Sequence, residues 1–280
     1  MSGGAQLTPV SAARHGGKRW RRFASYSFVQ DHPLVPIVLG EHEQVAASLP
    51  IVFAPLPGGL WPVALTRLGP DCALVAANGV WRGAYVPSVL RVHPFQAQVA
   101  KGTEFVLMVD EGSGLVTEDP RDEPFFTESG DLAPALAQVL EFFRTRAQAE
   151  LRTRAAMAEI LRAGLLQPFA LRPASARPAG AMLEVNPERL AALGRSELAG
   201  LHRTGALGLV HAAGVARHHL GFLAQAEEFA AQSCGVQAPS ARPAISGGVD
   251  PALAGFFDAL ANAQALDAPA FLAGPKAGRG

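Results

Sequence analysis

Side chains able to do acid–base, nucleophilic or metal chemistry are scattered along this 280-residue chain rather than gathered into one signature. Four of the eight histidines fall at His202, His211, His218 and His219. On a helix, His211 and His218 share a face, but a metal wants i, i+4 spacing with a carboxylate or thiolate beside it. These histidines therefore read as surface or core residues. The two cysteines, Cys72 and Cys234, are too few and too far apart for a disulfide framework or a four-cysteine zinc site. A His93–Asp110 pair has the chemistry of a base and its orienter for a serine, although nothing in the spacing brings the two together. Gly-x-Ser-x-Gly, Gly-x-Gly-x-x-Gly, Walker A, His-Glu-x-x-His and Cys-x-x-Cys are all absent. This weakens the enzyme reading and leaves no catalytic residue, metal ligand or cofactor to assign.

Two other constellations suit binding. All three Trp and both Tyr lie in the first 95 residues, as Trp20, Tyr26, Trp61, Trp81 and Tyr85, with Phe23, Phe28 and Phe95 among them. Amphipathic rings serve either a sheet core or a contact face. Core packing is the first reading; the second is a groove lined by Trp61, Trp81 and Tyr85 with Arg82 as its polar anchor. The other constellation is acidic: eight acids and the single Arg121 occupy the 22 residues from Asp110 to Asp131. Pairs such as Asp110-Glu111 have the oxygens to hold a hard cation, but the Asp-x-Asp-x-Asp-Gly order of a calcium loop is missing. The segment reads as a solvated loop or as a dock for a basic partner. One such partner is on the same chain, where Arg14, Lys18, Arg19, Arg21 and Arg22 crowd around Trp20. Arg19, Arg21 and Arg22 are the residues expected to dock if the two meet.

Composition sets the class. Hydrophobic residues make up 49% and charged residues 17%, which fits a globular chain and excludes a wholly disordered one. The 24 basic and 24 acidic residues cancel, so no global field draws nucleic acid or anionic lipid. Residues 44–66 are charge-free and long enough to span a bilayer, but Pro50, Pro55, Pro57 and Pro62 would break the helix such a span needs. No membrane span is expected. No apolar run precedes the first basic residues, so a cytoplasmic location is expected.

Residues 1–19 read as a flexible basic arm and residues 20–130 as a β-rich part. Runs at 49–54 and 60–65 hinge at Pro57-Gly58-Gly59, and runs at 72–77 and 80–86 flank Asn78-Gly79, which predicts two hairpins. Runs at 88–93 and 104–109 add strands, giving a sheet of about five. Residues 131–232 read as helical. Asp131 is a candidate cap, Gly164 a C-terminal stop, and Leu136, Val139, Leu140, Phe143, Ala147, Leu151, Met157, Ile160 and Leu161 mark one helical face. Arg144, Arg146 and Arg152 fall on the opposite, solvated face. After a Pro-rich linker at 171–178, Asn186-Pro187 opens a short helix and a second follows from Ser196. Residues 205–210 are either a buried strand or the start of a helix running toward Ala230. Residues 233–280 form an Ala/Pro/Gly-rich tail with one amphipathic helix at 250–260. The expected class is α+β: a β-rich N-terminal half packed on a long helix, a helical C-terminal part and disordered ends.

Seven short strings carry a resemblance. Trp20-Arg-Arg-Phe-Ala-Ser-Tyr-Ser-Phe28, Leu34-Val-Pro-Ile37, Leu49-Pro-Ile-Val-Phe53, Trp81-Arg-Gly-Ala-Tyr-Val-Pro87, His93-Pro-Phe95, Asp110-Glu-Gly-Ser-Gly-Leu-Val116 and Glu123-Pro-Phe-Phe126 follow one another in this order. Together they resemble the bacterial SapC family. The resemblance runs from Trp20 to Leu223 and includes Ala163-Gly-Leu-Leu-Gln-Pro168 and Gly205-Ala-Leu207. It implies a non-enzymatic accessory of the bacterial surface layer, serving biogenesis or export, with a surface-layer or secretion component as partner and no cofactor. On that reading Asp110, Glu111 and the aromatic face are contact surfaces, and non-classical export is the alternative to a cytoplasmic location. Relatives are also encoded near tryptophan-halogenase-like and iron-dependent oxygenase-like proteins. That implies a second role, a small-molecule-binding or catalytic accessory to an oxidative tailoring enzyme, with Trp61, Trp81, Arg82 and Tyr85 lining the pocket.

Overall fold

The computed structural model describes residues 6–69, 72, 74–99, 105–169 and 182–234. In chain order the elements begin with β1 (Leu7–Pro9), α1 (Ala12–His15), β2 (Arg19–Trp20), β3 (Leu34–Pro36), α2 (His42–Ala46), β4 (Ile51–Leu56) and β5 (Gly59–Leu65). They continue with β6 (Phe95–Val99), β7 (Phe105–Asp110), β8 (Val116–Thr117), β9 (Glu123–Pro124), α3 (Pro134–Arg162), β10 (Leu166–Pro168) and β11 (Leu183–Val185). The last four are α4 (Pro187–Ala191), α5 (Arg195–Arg203), α6 (Ala206–Ala216) and α7 (His219–Cys234). The class is α+β. The strands form three antiparallel sheets, in the orders β10-β11-β4-β5-β3, β1-β7-β6 and β8-β2-β9, rather than the single sheet that the sequence suggests.

The first hairpin forms where local chemistry calls for it. β4 and β5 pair from Ile51↔Ala64 to Leu56↔Gly59, and Gly58 (φ +94°) and Gly59 (φ +125°) make the turn without strain. The second hairpin is only a turn. Gly79 has φ +82° and the Ala76 N–H donates to the Val80 carbonyl at 2.8 Å, yet among the described residues only Val75 and Trp81 form a bridge across it. Beyond that bridge Trp81 Nε1 donates to the Tyr85 carbonyl (3.1 Å) and the Tyr85 hydroxyl is taken by Glu41 (3.0 Å), so the chain loops away. Ser88–Val92, expected as a strand, is a 3₁₀ turn because the Ser88 amide donates to Glu41 (2.8 Å) instead of to a neighbouring strand.

The 29 residues of α3 span about 43 Å at about 1.5 Å per residue, and they cross two cores. Leu136 and Phe143 pack with Trp20, Phe95 and Phe125, while Ala156, Met157 and Ile160 pack with Phe53, Leu65 and Leu209. Gly164 (φ +60°) ends the helix as expected. Its start is different: Ala133 occupies the N-cap, and Asp131 closes the preceding turn by accepting the Thr127 N–H at 2.8 Å and the Ser129 hydroxyl at 2.9 Å. The buried stripe also differs. Leu151 and Leu161 are 69% and 52% exposed, whereas Arg146, placed by its charge on the solvated face, is 6% exposed. Residues 205–210 are the first turn of α6, entered through Gly205 (φ +74°), and the helix expected to run toward Ala230 breaks at Arg217-His218. The linker at 171–178 and the tail helix at 250–260 lie outside the described residues.

From Leu7 onward, the arm expected to be flexible belongs to the fold. β1 pairs with β7, and β2 lies between β8 and β9. Glu111 fastens this region, accepting from Arg14 (2.6 Å) and Lys18 (3.1 Å). Fully buried His15 accepts the Ser11 N–H at Nδ1 and holds Nε2 3.2 Å from the same carboxylate. The acidic segment thus does take the basic one, through Arg14 and Lys18; Arg21 donates to the Gly114 carbonyl instead (3.3 Å).

The acid response of this hook follows from its charges. The Arg14 hydrogen bond, aided by Lys18, holds the Glu111 carboxyl down to about 2, and burial pushes His15 below its usual value. Both shifts favour the protonation states present at neutral pH. Their stabilisation is therefore complete above about 6.5, the His15 part fades first as pH falls, and the Glu111 part is lost last, through about 2. Glu111→Gln should lower the melting temperature at neutral pH, with the gap to the unaltered protein closing as pH is reduced. Calorimetry across the acid range checks this, and a gap independent of pH would contradict it.

Candidate functional site

Between β3 and α2 the chain crosses the middle of α3, and from Ile37 to Leu39 it is buried. Buried backbone needs hydrogen-bond partners, and this stretch has no ladder beyond the Ile37 N–H, which donates to the Pro62 carbonyl at 3.0 Å. Side chains supply the rest. Arg146 Nη2 donates to the Pro36 carbonyl (3.0 Å) and Trp61 Nε1 to the Ile37 carbonyl (2.9 Å). The Val38 N–H donates to Glu41 (3.2 Å) and the Leu39 N–H to the Thr153 hydroxyl (2.9 Å), whose own proton goes to the Ala149 carbonyl. Glu41, 5% exposed, also accepts from Arg146 Nη1 (3.1 Å), the Tyr85 hydroxyl and the Ser88 N–H. Four donors fill its acceptor sites, which makes it a fastener rather than a reacting acid. Burial, then the Glu41 charge, raise the Tyr85 pKa, so the phenol keeps its proton and remains a donor.

The six residues singled out by the sequence fall in different places. Tyr85 belongs to the Glu41 node and carries the Arg91 guanidinium 5.6 Å over its ring. Trp81 packs 5.7 Å from Tyr26. Trp61 lies in a separate cluster with Val38 and Ala149, 8% exposed, with Arg154 5.2 Å over its ring. Arg82 is exposed, and its amide donates to the Leu74 carbonyl at 2.8 Å. Asp110 Oδ1 accepts the amides of Gln6 (2.8 Å) and Gly112 (3.0 Å), and Glu111 holds the N-terminal hook. Trp61 thus does not share one groove with Trp81 and Tyr85.

A different group does come together. Phe23, Tyr26, Phe28 and His93 form a half-buried layer in which Phe28 and His93 stack at 3.9 Å and Phe23 stands edge-on to both and to Tyr26. Burial pushes His93 down to about 4, with the Asp110 charge opposing that shift, so the ring is neutral near pH 7. Among the described residues no hydrogen bond joins His93 to Asp110, whose Oδ1 is held by backbone amides. Sequence reasoning named the rings of this layer but missed Glu41 and Arg146, which are 105 residues apart and carry no motif.

A cavity of about 290 Å³ lies between β4, β11, α4 and α6, with Ile51, Phe169, Leu190 and Val210 among its apolar walls. Glu184, 7% exposed, accepts from Gln167 Nε2 at Oε1 (3.2 Å), while Oε2 is 3.5 Å from Arg217 Nη1 and makes no hydrogen bond. His211 and His218 line the same cavity. Among the described residues no group of three His, Cys, Asp or Glu is arranged to hold a metal ion, and no helix is long and apolar enough to cross a membrane.

Fold and site together define a class: an α+β protein whose small sheets are fastened to one long helix, with a buried ion pair and a half-buried aromatic layer. The chain belongs to the SapC family, whose family model, described as SapC, matches residues 10–222. That span takes in Arg14, His15 and Lys18 of the N-terminal hook, which the string resemblance, starting at Trp20, leaves out. Comparison with curated proteins and with solved structures gives no match.

Removing one partner of a buried pair strands the other charge. Arg146→Met should therefore cost about 3–5 kcal/mol in urea denaturation. Arg146→Met and Glu41→Gln together should cost less than their sum by about 1 kcal/mol or more, and strict additivity would show that the two do not act as a unit.

Proposed function

We propose that this SapC-family protein is a non-enzymatic accessory of bacterial surface-layer biogenesis or export that works by binding a protein partner. The observation carrying this reading is the half-buried layer of Phe23, Tyr26, Phe28 and His93. Rings packed edge to face, with part of their surface in water, are the anchors that protein interfaces favour. The buried charges of Glu41 and Arg146 are engaged in fastening, which suits a rigid scaffold better than a site of reaction. The SapC resemblance points to a surface-layer or secretion component as the partner. Action is in the cytoplasm, or at the cell surface after non-classical export. The cavity under Glu184 favours a second reading, a small-molecule-binding accessory to an oxidative tailoring enzyme, because its volume is close to the lower range of small-ligand sites.

Affinity purification of the tagged full chain from its native host, with mass spectrometry, separates the two. A surface-layer or secretion component should co-purify and be lost with Phe23→Ala, provided circular dichroism shows the variant folded. A halogenase or oxygenase in its place supports the second reading. Retention of the same partner by Phe23→Ala would remove the aromatic layer as the contact face.

A further inference from the structure

A second and larger hollow, about 630 Å³, lies where the turn at Leu39 and Gly40 meets α3, α5 and α6. Its lining includes Arg152, Arg203, His42, His202 and His211, drawn from four helices, α2, α3, α5 and α6, and among the described residues it includes no acid. In a chain with equal numbers of bases and acids this is a strong local departure. Arg146 and Arg162 on α3 and Arg189 on α4 are each paired with a glutamate, whereas Arg152 and Arg203 have no ion-pair partner among the described residues. His42 accepts the Gly40 N–H at Nδ1 (3.4 Å), which leaves Nε2 as a donor beside Gly208 in the cleft wall. Glu43 acts on His42 through space but does not line the hollow.

Like charges that converge without a counter-ion raise the energy of the empty cleft, and an anion relieves it. Two guanidinium forks suit the several oxygens of a phosphate better than one carboxylate, and imidazole N–H groups add donors to the same volume. The start of α6, where Gly205 provides no capping side chain, contributes its dipole in the same sense. The hollow is far larger than a bare oxyanion and lies within the range of small-ligand sites. We propose that this cleft binds the phosphate group of a small phosphorylated molecule, whichever protein partner the chain serves.

Calorimetric titration of the full chain with ribose 5-phosphate and, separately, with inorganic phosphate, at matched ionic strength, tests this. Ribose 5-phosphate should bind saturably and more tightly than inorganic phosphate. Arg152→Gln and Arg203→Gln, both at exposed positions, should each weaken it about tenfold or more, and Arg195→Gln, an exposed arginine outside the cleft, should leave it unchanged. Equal affinity for the two probes would assign the free ion and overturn the organic ligand. No saturable binding, or equal weakening by Arg195→Gln, would overturn the site.

Discussion

A buried, irregular turn is a difficult thing to fold, because each backbone amide and carbonyl it takes out of water must find a partner without the help of a ladder. In this protein the stretch from Pro36 to Glu41 is that turn, and much of the architecture is arranged to satisfy it. Arg146 and Thr153 reach it from α3, Trp61 from β5, and Glu41 folds back on its own segment. Glu41 then extends the network outward by taking the Tyr85 hydroxyl and the Ser88 amide. The loop between them is therefore shaped by a carboxylate more than forty positions upstream, and the Trp81–Tyr26 contact follows from where that loop is held.

Helix α3 makes this arrangement possible by joining two cores that would otherwise be small. Its first half closes the cluster around Phe95 and Phe125, its second half the larger one around Phe53, and the polar stretch at Arg146 and Thr153 marks the crossing between them. A buried ion pair is weak evidence of net stability, since apolar residues of the same shape often do as well. What Arg146 does that an apolar residue cannot is specify: one guanidinium reads the Pro36 carbonyl, the Glu41 carboxylate and the Ser88 hydroxyl at once, which leaves one register of helix against turn.

The parts of this fold that could be read in the sequence are those decided locally. The hairpin of β4 and β5 is one, since its turn glycines and apolar strands lie within fifteen residues; the extent of α3 up to Gly164 is another. What failed was decided at long range. Residues 80–92 have strand-like composition, yet the donors of Tyr85 and Ser88 are drawn to Glu41. Arg146 reads as a solvent-facing residue until its partner 105 positions away is known. The three residues of β1 carry no pattern of their own and become a strand only against β7. The candidate site divides the same way: aromatic composition identified Tyr85 and the rings around it, but grouping Trp61 with Trp81 needed a contact that the fold does not make.

The pairing of β1 with β7 also bears on how the protein is made. Translation delivers Leu7 first, but its partner Asp110 leaves the ribosome roughly a hundred residues later, and Glu111 follows it. Until then the opening strand has nothing to pair with, while the β4–β5 hairpin can already close. Leu7 and the cations of the basic segment are therefore secured well after they are made, and for much of synthesis that segment stays basic and unpaired while the sheet built on β4 and β5 takes shape.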